Sequence, residues 1–401
     1  MLRIALVVAV ACAGLPAQAQ SGPAPDLMAL AQGFVLHDDV EPRPDPSNRL
    51  QGQPLAEALG GQLFFDAGLS ADGQTACATC HVTEGAFVPN ESRRAGAERA
   101  FRTVMPVAGA AQQRFFNWDG GKDSLWSQAL VPLEHPDEHG LTRTEVVAYV
   151  LRHHAGQMAA LDAGLTADAA LLQDLPPASP LGTAAQRQAW DSLDPSLRMR
   201  VNQVFVLVGK AIAAFEASLP PPVAAWDRMV AAAAGRADRM PQEVLRGFAV
   251  FTGKGRCSTC HTGPFFTDGD FHNTGLPAVE GQPVDMGRQA VIGRLKRDEF
   301  NCLGPHSDAP PDACKDLMYM AQSMERTLGT FRTPTLRGVA LRGPFGHAGQ
   351  MPALADMIDH YDRAPLGPHG RMVGKPTLSE LVPLNLTEQE KADLIAFLNA
   401  L

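Results

Sequence analysis

The chain has 401 residues, with 43 acidic against 34 basic side chains and a formal net charge of −9. No run of Lys or Arg breaks that balance, which excludes a nucleic-acid binder, because phosphate contacts demand clustered cations. An apolar content of 45 % over this length supplies two sizeable domain cores.

The N-terminus reads as a secretory leader: Arg3, the apolar run Ile4 to Leu15, then Ala17-Gln18-Ala19 as a small-residue cleavage site. That run is too short to span a bilayer, and no later apolar stretch is long and uninterrupted. The mature chain is therefore expected in the periplasm, with no membrane span. Residues 20 to about 50, marked by Pro42, Pro44 and Pro46, read as an extended lead-in. Gln53 to Phe65 then spaces Leu55, Leu59, Leu63 and Phe64 as on a helix. The turn Asp72-Gly73 follows, and after it comes Cys77-Ala78-Thr79-Cys80-His81.

Further on, 176–180 is a loop, and Leu197 to Leu219 has the length and spacing of a buried helix stopped by Pro220-Pro221-Pro222. A helical stretch over Val223 to Ala234 brings the chain to a boundary near 235. The first arrangement then repeats. Glu243 to Phe251 carries Leu245, Phe248 and Phe251, the turn Gly253-Lys254-Gly255 follows, and then comes Cys257-Ser258-Thr259-Cys260-His261. Gly60 stands four before Phe64, as Gly247 stands four before Phe251. The chain closes with Thr387-Glu388-Gln389-Glu390, a capping box, and the apolar stripe Leu394, Ile395, Leu398 and Leu401. This last helix is suited to pack on the one that opens the second domain.

Cys-x-x-Cys-His is the attachment signature of a c-type haem. Two thiols on one turn reach the two porphyrin vinyl groups, and the adjacent histidine comes under the iron. A single copy could be a redox pair or half of a zinc site. Two copies, each ending in His on an exported chain, point to two covalently bound haems. Strand signals are scarce, so the expected fold is mostly α, two cytochrome c-like haem domains in tandem. The leader is 1–19, the N-terminal domain 20–235 and the C-terminal domain 236–401.

Of seven cysteines, Cys12 leaves with the leader and four hold haem. Cys302 and Cys314 remain in a loop rich in Pro, Asp and Gly; in an oxidising compartment a disulfide is expected, with a metal role alongside His306 as the alternative.

Several stretches resemble the bacterial di-haem cytochrome c peroxidases, a family that includes the MauG-type oxidases. In the first domain they are Asn117-Trp118-Asp119-Gly120, Asp123 to Pro132, and Pro136-Asp137-Glu138. In the second they are Phe271 to Gly275, Phe331 to Arg337, and Pro344-Phe345-Gly346-His347. The resemblance covers about 50 to 401, and it implies that the haem on His81 meets peroxide. Glu138 then corresponds to the distal glutamate, Gln128 to the distal glutamine and Pro132 to the proline that shapes the pocket. Cleaving peroxide requires a proton moved from one oxygen to the other, which a positioned carboxylate can do. Trp118 matches a tryptophan lying between the haems as an electron relay, whereas Trp126, Trp190 and Trp226 read as core. His135 and His139 read as surface histidines.

One departure stands out. Many members cap the first iron at rest with a histidine in the loop after the first motif, and no histidine lies between His81 and His135 here. An open first haem is expected. On the second haem, Leu354 to Tyr361 matches the helix that supplies the distal ligand, with Tyr361 at the ligand position as in MauG-type members and Met357 as the rival. A phenolate lowers the iron potential relative to a thioether. His360 points elsewhere, and His272 and His347 read as structural. Arg332 and Arg337 suit the haem propionates. The family's inter-domain calcium would fall on Thr103, where an asparagine is usual, and on the carbonyls of Arg342 and Pro344.

The expected activity is reduction of hydrogen peroxide with electrons from a small donor protein, a c-type cytochrome or cupredoxin, by a monomer or homodimer. The alternatives are a MauG-like oxidase acting on a partner protein side chain, and a non-catalytic di-haem electron carrier. Glu138 and Gln128 speak against the carrier.

Overall fold

Two helix crossings organise the chain, each made possible by a glycine. The helix Pro54–Phe65 meets the long helix Pro195–Ser218 so closely that a Cβ on Gly60 would overlap the Ala211 carbonyl. The helix Gln242–Thr252 meets the C-terminal helix Glu388–Leu398 in the same way, with Gly247 against the Asp393 carbonyl. Beside each glycine an aromatic pair locks the crossing: Phe64 with Phe215 at 5.3 Å between ring centroids, and Phe251 with Phe397 at 5.1 Å. The computed structural model describes residues 26–37, 39–83, 88–89, 102–166, 169–376 and 378–401. The expected leader, and the segment 90–101 after the first motif, lie outside the described residues.

Among the described residues about half are helical. Sheet is confined to two short antiparallel pairs, His81–Val82 with Val88–Pro89 and Phe271–His272 with Phe331–Arg332. The helix Pro195–Ser218 is long and apolar enough to cross a membrane, but most of it is buried inside the protein. The expected capping box forms: Thr387 Oγ1 accepts from Glu390 N at 3.2 Å, and Glu390 Oε2 accepts from Thr387 N at 2.7 Å.

Two large apolar cores follow the two crossings. The first runs from Leu50 to Ala217; the second contains Trp226, Phe248, Phe251, Phe266 and Phe397. Each core also takes in a segment from elsewhere. The lead-in is not uniformly extended, because Asp26 caps a short helix, Leu27–Gln32, by accepting from Met28 N at 3.0 Å. That helix delivers Phe34 into the second core, 5.4 Å from both Phe248 and Phe266. The helix Ala225–Ala233 also packs there, through Trp226, Val230 and Ala233. In exchange, Phe300 enters the first core beside Trp126 and Phe205. Charge pairs secure its loop: Lys122 with Asp298 at 2.5 Å, Arg143 with Glu299 at 3.0 Å and Lys210 with Asp308 at 2.6 Å. Cys302 and Cys314 close the same loop as a disulfide, with Cα atoms 5.7 Å apart.

Candidate active site

The second motif opens on a cavity of about 430 Å³. Cys257, Cys260 and His261 line it, together with Met357 and Tyr361 from the helix Leu354–Arg363. His261 Nδ1 donates to the Phe266 carbonyl at 3.0 Å, which leaves Nε2 as the free ligand atom. Protein packed around the ring pushes its pKa down to about 4, so the imidazole is neutral, the form that binds iron. Burial pushes the Tyr361 phenol up. Its neighbour His360 is turned away and donates from Nε2 to the Thr274 carbonyl at 2.8 Å.

The cavity also presents cations lacking full sets of partners. Arg332 is 2 % exposed, and its Nη1 is buried with no hydrogen bond. Arg342 lines the same wall with its Nε buried and unpartnered. Burial lowers both, Arg332 to about 9 and Arg342 to about 10. A buried guanidinium nitrogen without a partner is costly unless an anion meets it. An apolar crevice with two thiols, a free imidazole nitrogen and two such donors therefore fits a haem with its propionates. Arg337 does not share that role, contrary to the sequence expectation. It is fully buried and bonds Asp227 twice, at 2.7 and 3.1 Å, outside this cavity. Arg342, read from sequence only as a calcium carbonyl, lines the cavity instead.

Trp118 comes from the first half of the chain yet lines the second cavity. Its Nε1 donates to the Thr103 carbonyl at 2.8 Å, and its own carbonyl accepts from Arg332 N at 2.8 Å. Thr103 Oγ1 donates to the Gly346 carbonyl at 3.3 Å, so both Thr103 oxygens already have protein partners. His347 stacks on Phe331 at 3.7 Å, and His272 pairs with Asp268 at 2.9 Å and Glu380 at 2.7 Å, which raises its pKa. Both also line the cavity.

At the first motif, Cys77–Cys80 forms a single helical turn. His81 Nδ1 is buried without a partner, and burial pushes the imidazole down to about 4. The distal candidates lie on two short helices and a turn. Ser124 caps Leu125–Ala129, which carries Gln128; Pro132 sits at the start of Val131–Glu134; Glu138 follows in the turn. The Glu138 side chain is 44 % exposed, with its Oε1 3.6 Å from His135 Nδ1. Its pKa is raised by the surrounding protein, against the pull of His135 and with the push of Asp137. The carboxylate lies close enough to Cys77 to help raise that thiol.

His135 is exposed as expected, but His139 is not a surface residue. It is 3 % exposed, Nδ1 donates to the Leu69 carbonyl at 2.6 Å, and Nε2 lies 3.8 Å from Cys77 Sγ. Its backbone N donates to Pro132 O at 3.1 Å and its carbonyl accepts from Ala71 N at 2.7 Å. Glu138 thus sits on a turn whose next residue is fixed at four points. A histidine beside acidic and proline residues carries no sequence signal for such burial, because the partners of its ring lie 62 and 70 positions away.

The model of the family described as di-haem cytochrome c peroxidase matches residues 54–235. Methylamine utilization protein MauG of Methylorubrum extorquens is 30 % identical over 394 residues, covering 97 % of this chain and 89 % of that one. Cytochrome-c peroxidase IdrP1 of Denitromonas iodatirespirans is 29 % identical, covering 100 % and 92 %. Among solved structures, the diheme peroxidase BthA of Burkholderia thailandensis superposes with a TM-score of 0.62 at 21 % identity, over 90 % of this chain and 89 % of that one. That likeness concerns the fold. With relatives of both kinds matched over nearly its whole length, the chain belongs to the di-haem cytochrome c peroxidase and MauG family.

Proposed function

We propose that the protein is an exported, periplasmic di-haem c-type peroxidase that reduces hydrogen peroxide to water with electrons from a small redox protein. Haems held on Cys77, Cys80 and His81, and on Cys257, Cys260 and His261, would supply the electron transfer. The first is the peroxide site, within 20–235, and the second, within 236–401, is the electron store. Glu138 accepts a proton from one peroxide oxygen and returns it to the other, which leaves as water. Gln128 orients the peroxide by hydrogen bonding. Arg332 and Arg342 neutralise propionates at the second site. Trp118, bonded from both halves of the chain, is a conduit for electrons between the two sites.

The observation that carries this reading is Glu138, raised in pKa, near Cys77 and held by the anchored His139. Steady-state peroxide reduction with reduced cytochrome c tests it. Glu138→Gln should slow O–O cleavage by roughly 10²–10⁴-fold, and an unchanged rate would remove Glu138 from the mechanism.

Tyr361 favours a second reading, a MauG-like oxidase that modifies a side chain of a partner protein. A phenolate in the cavity that His261 also lines would suit a site that stores oxidising equivalents. Failure with every small donor, together with a long-lived state two electrons more oxidised than resting protein, would support that reading over the first.

A further inference from the structure

Glu216 is a buried carboxyl that the reaction above does not use. It sits near the C-terminal end of Pro195–Ser218, is 5 % exposed, and its Oε2 has no hydrogen-bond partner. The internal duplication shows what it faces. Gly60 meets Ala211 and Phe215, and Gly247 meets Asp393 and Phe397. In that register Glu216 corresponds to Leu398, and Ile212 to Leu394. Leu394 and Leu398 both line the cavity of the second motif. Glu216 therefore occupies, in the first half, the place from which the second half presents a leucine to its haem crevice. Its carboxyl acts electrostatically on Cys77, the first attachment thiol.

We propose that Glu216 faces the haem attached at Cys77 and Cys80 and takes up the proton that accompanies one-electron reduction of that haem, whereas the second haem, facing Leu398, has no such group there. This rests on the haem attachments given above. The donor passes one electron to the iron and solvent passes one proton to the carboxylate, so the charge inside the crevice is unchanged. Reoxidation releases both. A charge change in a low-dielectric interior is costly unless a counter-charge moves with it.

The surroundings leave the carboxyl free to respond. Burial alone holds its pKa up, at about 8. The helix Pro54–Phe65 packed on it carries one titratable side chain, Glu57, a turn before the crossing. The turn Ala110–Gln112 and the helix Leu125–Ala129 carry none. Arg143 belongs to a helix packed at the Asn202 end of the long helix. Cys77 is consumed by the thioether, and Glu138 lies on the peroxide-facing turn.

The test is a spectroelectrochemical titration of each haem in the holoprotein without peroxide, from acid to alkaline pH. In the parent protein the potential of the first haem should fall as pH rises, with a limiting slope of about 59 mV for each tenfold drop in proton concentration, the one-electron, one-proton value. Glu216→Gln should flatten that slope and leave the potential above the parent's at alkaline pH. Glu216→Leu, which copies Leu398, should do the same and serves if the amide variant matures poorly. A slope that survives in both variants, or no slope in the parent, overturns the proposal. Because no peroxide is present, the result is separate from whether the protein turns over peroxide.

Discussion

Replacing Arg337 by methionine separates two roles that look alike in sequence. Arg337 is 1 % exposed, and its guanidinium bonds both oxygens of Asp227 and gives two further donors to the carbonyls of Pro264 and Pro222. Asp227 also accepts from Leu36 N at 2.9 Å and Ala224 N at 2.7 Å, so the pair ties the N-terminal segment to the second core. Methionine fills similar space but strands a buried carboxylate, and losing one partner of such a pair costs about 3–5 kcal/mol. The two amide bonds still steady the anion, which argues for the lower end, about 3 kcal/mol. At about 2.1 cal/mol/K of unfolding entropy per residue, a chain of this length unfolding as one unit should lose roughly 4 °C in Tm. Circular dichroism melting of the holoprotein measures it, and the double variant Arg337→Met with Asp227→Asn should recover much of the loss. The potential of the second haem should not move. A Tm within about 1 °C of the parent, or a changed potential with unchanged Tm, would refute the assignment and return Arg337 to the propionates.

Tyr361→Phe should alter the electron paramagnetic resonance signal of the second haem and raise its potential, while leaving the first haem's signal in place; an unaltered spectrum would make Met357 the ligand. Gly247→Ala forces a methyl group onto the Asp393 carbonyl and should cost about 1–3 kcal/mol or more, read as a lower Tm and reduced yield of the matured protein. Glu216 has a native pKa near 8 against about 4.5 in the unfolded chain. Its contribution to stability is therefore full below about pH 4.5 and lost as pH rises through 8. Glu216→Gln should gain on the parent across that window, by a few kcal/mol at its alkaline end, and a constant difference in Tm would contradict this.

Much of the scaffold was legible because it depends on local chemistry. The capping box at Thr387, the triple proline after Leu219 and the glycine–phenylalanine spacing each carry a mechanism within a few residues. Only the conformation of a crossing explains Gly60 and Gly247, and their repetition exposed the duplication. What stayed hidden depends on distant partners. The helix Leu27–Gln32 was masked by proline-rich surroundings and exists because Asp26 caps it and Phe34 is buried 200 positions away. Phe397, the deepest residue of the last helix, was left out of the apolar stripe. Arg337 and Arg342 sit on one segment, and only their partners tell which one faces the cavity. The boundary near 235 followed a helix's end, whereas the apolar side of Ala225–Ala233 already belongs to the second core.

The exchange of segments between the cores has a consequence for dissecting the molecule. Cut after residue 235, the leading fragment would keep a hole where Phe300 sat, while the trailing fragment would lose the plug formed by Met28, Ala31 and Phe34. Neither piece should behave as a free-standing mini-cytochrome. The polypeptide is better regarded as one interlocked body, each half stoppered by the other.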